Sequence, residues 1–126
     1  MYISLLRSKL HQARVTDANI NYVGSITIDS ALLEQAQMYP FEKVLVVDIE
    51  NGARFETYII AGPAESGKVE LNGAAARLVT IGDRIIVMGF TEVPFPPPPD
   101  WSPQVVFLDQ DNKVVSIKRE EGSTCC

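Results

Sequence analysis

Apolar positions in this chain recur mostly at every second residue, in short runs set apart by glycine, asparagine and aspartate, the pattern of half-buried strands. Tyr2 to Arg7 reads as a first strand. Lys9 to Thr16 continues it, with Leu10, Ala13 and Val15 apolar and hydrophilic residues between them. Asp17-Ala18-Asn19 has the composition of a turn, after which Tyr22 to Ile28 resumes a strand. Asp29 or Ser30 can cap a helix over Ala31 to Met38, where Leu32, Leu33 and Ala36 share a face and Pro40 blocks much continuation. Val44 to Ile49 is a β-branched run, Asn51-Gly52 is a strong hairpin signal, and Phe55 to Ile60 is the returning strand. Alternation puts Arg54, Glu56 and Tyr58 on one side of that strand and Phe55, Thr57 and Ile59 on the other. Arg54 and Tyr58 can therefore reach one pocket if their side looks inward.

Ala61 to Gly67 reads as a loop and Lys68 to Leu71 as a short strand. Asn72 to Arg77 is rich in small residues that let a backbone approach a ligand or another chain. Gly82-Asp83 turns into a buried strand over Arg84 to Phe90. Pro94 to Pro99 reads as an extended, stiff polyproline connector. Gln104 to Asp109 and Lys113 to Lys118 form a terminal hairpin around Asp111-Asn112, and residues 119–126 read as a disordered tail. Short strands, glycine turns and one or two short helices indicate a single, mainly β domain over residues 1–126, a compact barrel rather than alternating βα units.

Charge narrows the functions available. With 16 acidic and 11 basic residues the net charge is −5, which argues against a general nucleic-acid binder because phosphate contacts need clustered cations. Arg7 and Lys9 interrupt the N-terminus too early for a signal peptide, and no apolar run approaches the ~20 residues of a spanning helix. The expectation is a cytoplasmic protein with no membrane partner. Cys125 and Cys126 are adjacent at the C-terminus and can neither staple a core nor offer a metal-ligand spacing. His11 is the only histidine, so no metal site is expected.

Gly24-Ser25 carries a different chemistry. A hydroxyl beside a glycyl carbonyl is the minimum needed for a chain to break its own backbone, and glycine leaves room for the attack. Addition of the Ser25 hydroxyl to the Gly24 carbonyl would replace the amide with an ester. Elimination would then release residues 1–24 and leave dehydroalanine at position 25, which hydrolyses to a pyruvoyl group with loss of ammonia. A Gly-Ser pair by itself more often marks a turn.

Taken together, Lys9-Leu10-His11, Tyr22-Val23-Gly24-Ser25, Asn51 to Tyr58 and Asn72 to Ala76 resemble the pyruvoyl-dependent L-aspartate 1-decarboxylase family, which makes β-alanine for pantothenate. The resemblance runs from the start of the chain to about Phe90 and continues loosely through the terminal hairpin. It implies a six-stranded double-psi β barrel and a homotetramer with active sites between neighbouring subunits. Whether an accessory maturation factor assists cleavage stays open.

Carried over by position, Ser25 becomes the pyruvoyl cofactor, which takes the place of pyridoxal phosphate, and Gly24 the carboxyl end of the small chain. Lys9 and Arg54 bind the carboxylates of L-aspartate, Tyr58 donates a proton, and Thr57 assists self-cleavage and holds the cofactor region. Asn72 and the Gly73-Ala74-Ala75 backbone line the pocket, with His11 and Tyr22 nearby. Val47 is a departure, because some members have tryptophan there; a pyruvoyl decarboxylase of a related acidic amino acid is therefore an alternative. An unprocessed barrel acting as a binding or assembly module is another.

Overall fold

The computed structural model describes residues 1–120. Its strands are β1 (Tyr2–Arg14), β2 (Asp17–Asn19), β3 (Ser25–Asp29), β4 (Lys43–Asp48), β5 (Arg54–Gly62), β6 (Val69–Asn72), β7 (Arg84–Pro94), β8 (Gln104–Leu108) and β9 (Val114–Arg119). One α helix, α1 (Ser30–Ala36), and a 3-10 helix over Gly73–Leu78 complete the elements. Hydrogen-bonded neighbours run in the order β2-β6-β3-β5-β4-β7-β1-β8-β9.

Only Val15 and Thr16 separate β1 from β2. The Thr16 N–H and hydroxyl both donate to the Val69 carbonyl, at 2.8 and 3.0 Å, and its Oγ1 accepts from the Val69 N–H at 2.9 Å. The sheet thereby returns on itself as a small β barrel. Leu10, Ile26, Val46, Ile59, Leu71 and Val87, one from each of β1, β3, β4, β5, β6 and β7, are fully buried on its inner face. These six strands correspond to the six expected, while β2 closes the barrel and the β8-β9 hairpin lies beside β1. No helix among the described residues is long and apolar enough to cross a membrane.

Several elements differ from the sequence expectation, each for an identifiable reason. Asp17–Asn19 is strand rather than turn because the Thr16 bonds carry the chain on alongside β6, and the turn falls at Ile20-Asn21. Strand β3 starts at Ser25, not Tyr22, since Tyr22 to Gly24 bend over the start of the 3-10 helix. The helix is shorter than Ala31 to Met38: Gln37 turns into the left-handed region at φ 57° and ends it. Strand β5 runs on to Gly62 and β7 to Pro94, the latter paired with Tyr2. The proline run is not a straight rod, because the chain bends at Phe95-Pro96 and the Trp101 N–H donates to the Pro98 carbonyl at 3.1 Å. Arg119 ends β9 and the Glu120 N–H donates to Pro103 at 2.9 Å; the rest of the tail, with Cys125 and Cys126, lies outside the described residues.

Two buried carboxyls titrate in opposite directions. Asp29 joins β3 to α1, accepting from Ala31 and Glu65 N–H groups at 2.8 and 2.9 Å and from Gly67 at 2.9 Å. Burial alone would raise its pKa, but the N–H groups of Gly67, Ala31, Glu65 and Leu32 outweigh that and hold it below the ordinary value. Asp48 occupies the third inward position of β4, fully buried, and its Oδ2 has no partner among the described residues while ionised. Burial, then the neighbouring Asp83 carboxylate to which a protonated Asp48 can donate, push it up to about 6.

A depressed carboxyl stabilises the fold above its unfolded pKa, and the contribution is lost as pH falls through the folded value. Asp29→Ala should therefore lower unfolding free energy at pH 7 by about 2 kcal/mol or more, read from the urea midpoint, with the deficit narrowing below about pH 4. A raised carboxyl works the other way: the proton is held more tightly in the fold, so stability falls as pH rises from the unfolded value to about 6. Asp48→Asn should flatten that part of the stability profile, and an unchanged profile would show that Asp48 is not its source.

Candidate active site

Ser25 opens β3 directly opposite Asn72, the last residue of β6. Opposed residues of an antiparallel pair share a face, and Thr27, two positions on, shares it too. The Asn72 Nδ2 group donates to Ser25 Oγ and to Thr27 Oγ1, both at 3.0 Å. Ser25 is 1% exposed and Asn72 0%, so this is a desolvated cluster. The Ser25 hydroxyl directs its proton at the Val23 carbonyl, 3.4 Å away. Asn72 Oδ1 is buried with no partner among the described residues.

Gly24 is exposed where Ser25 is buried, so their peptide lies at the point where the chain enters the barrel. The 3-10 helix begins against it. Gly73 has φ 71°, and a Cβ there would sit 2.6 Å from the Gly24 Cα and 2.8 Å from its nitrogen, so only glycine permits the approach. The small residues after Asn72 thus serve a close backbone contact, as their composition suggests, and the partner is the chain's own Gly24. Ala74 is exposed and Ala75 is packed partly against the core.

Strand β5 runs parallel to β3 on its other side, with Ile26 beside Ile59. Thr57 and Tyr58 immediately precede Ile59 on β5, as Gly24 and Ser25 precede Ile26. Arg54 and Tyr58 do share a face, but that face looks outward, not inward: Phe55 and Ile59 take the core side. The Tyr58 ring stacks on Phe41, with centroids 6.5 Å apart. Arg54 is exposed and forms no ion pair among the described residues. Val47 lies directly across from it on β4, and Tyr22 is exposed on the loop before Gly24.

Lys9 and His11 alternate with the buried Ser8 and Leu10 on β1 and therefore also face away from the core. With Val105, Phe107, Lys118 and Glu120 they line a cavity of about 460 Å³. Lys9 Nζ lies 3.8 Å from the Glu120 carboxylate, and His11 meets the Phe107 ring edge-on at 5.2 Å. Burial first, and then the Lys9 ammonium, lower the His11 pKa against an opposing pull from Glu120. Neutral imidazole is the form this favours at pH 7. Ser25, Arg54 and Tyr58 do not line this cavity, so the chain by itself leaves the candidate site residues in separate groups. Among the described residues, no cluster of three or more histidine, cysteine or acidic side chains is arranged to hold a metal ion.

Thr27 and Phe41 were not singled out by the sequence. Period-two alternation from Ser25 identifies the face of Thr27, whereas nothing in the local pattern around Phe41 points to Tyr58.

A family model described as aspartate decarboxylase matches residues 1–115. The chain is 51% identical over 121 residues to the aspartate 1-decarboxylase of Carboxydothermus hydrogenoformans, covering 96% of this chain and 95% of that protein. It is 52% identical over 126 residues to the aspartate 1-decarboxylase of Caldicellulosiruptor bescii, covering 99% and 98%. The aspartate 1-decarboxylase of Acetivibrio thermocellus is 52% identical over 121 residues, covering 96% of each chain. Matches of this extent, with Gly24-Ser25 seated against Asn72 and Gly73, lead to one conclusion: the chain belongs to the aspartate decarboxylase family.

Proposed function

We propose that this chain is a self-processing aspartate 1-decarboxylase that cuts its own Gly24–Ser25 bond, makes a pyruvoyl group from Ser25 and converts L-aspartate to β-alanine and carbon dioxide. The observation that carries the reading is the desolvated Ser25 hydroxyl, held at 3.0 Å by Asn72 beside an exposed glycine, in a chain of this family.

Cleavage begins when Ser25 Oγ bonds to the Gly24 carbonyl carbon. The Gly24 C to Ser25 N bond breaks, the hydroxyl proton passes to that nitrogen, and an ester replaces the amide. The Asn72 N–H on Oγ favours the alkoxide formed as the hydroxyl gives up its proton ahead of attack. Loss of the Ser25 Cα proton then expels Gly24 as a carboxylate, and water displaces ammonia from the remaining dehydroalanine to leave a ketone. Gly24, Ser25 and Asn72 suit these steps, the first accessible, the second nucleophilic and the third a donor, and Thr57 lies two residues before the Ile59 that pairs with Ile26.

A ketone at position 25 supplies the electron sink for the pair released with carbon dioxide. The chain's own residues bind, orient and reprotonate. Arg54 offers a planar fork to one carboxylate, and Lys9 a second cation to the other. Tyr58, which precedes Ile59 on β5 as Ser25 precedes Ile26 on the neighbouring strand, donates a proton to the decarboxylated carbon. The Gly73-Ala74-Ala75 backbone lines the same end. Because Arg54 and Tyr58 face outward and Lys9 and His11 sit in a separate cavity, the site needs a second surface laid over it. A homotetramer with sites between subunits provides that surface, excludes water and brings the cations together.

Carbon dioxide release should be faster from L-aspartate than from glutamate or cysteine sulfinate, and a hydrazine should abolish it; resistance to hydrazine would remove the ketone. Tyr58→Phe should cut normally yet form β-alanine at least about 100-fold more slowly, in keeping with loss of a general acid. Unaltered turnover in that variant would exclude Tyr58. Gly73→Ala, whose Cβ would fall 2.6 Å from Gly24, should leave the purified chain uncut.

A further inference from the structure

The buried face that holds Ser25 carries a third polar group to which the family resemblance assigns no role. Asn72 Nδ2 has two hydrogens and two acceptors, Ser25 Oγ and Thr27 Oγ1, each at 3.0 Å. Two acceptors fix the amide plane; one would not. The opposite orientation of the amide would set Oδ1 between the hydroxyls and leave an NH₂ group buried where Oδ1 now lies without a partner among the described residues. Two orphaned donors are less tolerable than one orphaned acceptor, so the orientation with N–H on Ser25 Oγ is favoured. That preference rests on Thr27 accepting the second hydrogen.

Thr27 is itself held in place. A Cβ on Gly62 would lie 3.1 Å from Thr27 Cγ2, so the bare glycine edge of β5 receives the threonine methyl. With the methyl seated there, Oγ1 is presented to Asn72. A β-branched side chain has few χ1 choices to begin with, and this contact selects among them.

We propose that Thr27 is a positioning residue for backbone cleavage: its hydroxyl locks the Asn72 amide so that an N–H, not the carbonyl, meets Ser25 Oγ. The inference rests on the reading that Gly24–Ser25 is cut. Without the Thr27 hydroxyl, the amide turns to accept the Ser25 proton through the otherwise unpartnered Oδ1. Oγ then loses the donor that eases departure of its proton, its neutral hydroxyl is favoured instead, and attack on Gly24 slows.

The test follows the disappearance of freshly made full-length chain by denaturing gel for the native sequence and for Ser25→Ala, Thr27→Val, Thr27→Ala and Thr27→Ser. Thr27→Val keeps the shape and removes the acceptor; Thr27→Ser keeps the acceptor and removes the methyl. Thr27→Val and Thr27→Ala should cut about tenfold more slowly or worse, the effect of one hydrogen bond on a barrier, while Thr27→Ser stays near the native rate. Unfolding midpoints measured in the uncut Ser25→Ala background separate this from a loss of fold, and Thr27→Ala serves if the valine variant does not fold. Native cleavage with an equally fast Thr27→Val or Thr27→Ala overturns the role of Thr27 and leaves self-cleavage standing. Equal slowing of Thr27→Ser and Thr27→Val overturns it too, because the loss then follows packing and not the hydroxyl. A native chain that never cuts overturns both.

Discussion

One side-chain amide, buried between two strands, organises the end of this barrel at which cleavage is proposed. Asn72 spans from β6 to the Ser25 hydroxyl on β3, and its position is set by the direct opposition of the two residues in the ladder. The next residue, Gly73, turns with a positive φ and lays its backbone on Gly24. The bond proposed for cleavage is thus gripped from both sides by consecutive residues. Such a grip is available only where a strand ends, because a continuing β6 would carry Gly73 past Gly24 as another ladder pair.

The same alternation that builds the core explains why the candidate site residues lie apart in the chain. Ile26, Ile28, Ile59 and Leu71 take the inside of the barrel, and the residues between them are left facing out. A barrel this small has an interior filled by side chains, so a substrate pocket has to be built on its exterior. Ser25 is buried beside Asn72, whereas Arg54 remains exposed. An exposed guanidinium on a flat strand binds a carboxylate weakly in water; covered by another surface it binds strongly.

Where local pattern decides structure, the sequence is informative. The Asn51-Gly52 hairpin, the Asp29 cap and the β8-β9 hairpin follow from turn chemistry and period two, and all are present. Long-range pairing overrides local composition at Asp17–Asn19, whose turn-like residues are held in a strand by Thr16 and Val69. Which face of β5 meets the core is not contained in its alternation alone; Phe55 and Ile59 outcompete Arg54 and Tyr58 for burial once the barrel closes. Ser25 and Asn72 were legible as motif members, yet the contact between them depends on a register 47 residues apart in the chain. Thr27 is, by local pattern, an ordinary strand residue, and only that register places its hydroxyl against Asn72.

The central claim is that this polypeptide turns Ser25 into its own ketone by cutting after Gly24. The most direct measurement is the intact mass of the purified protein after prolonged warm incubation. Two chains are expected, residues 1–24 with a free carboxyl end and residues 25–126 with the mass of an N-terminal pyruvoyl group in place of serine. Catalytically active protein that keeps a single uncut chain with an unaltered serine at position 25 would contradict it.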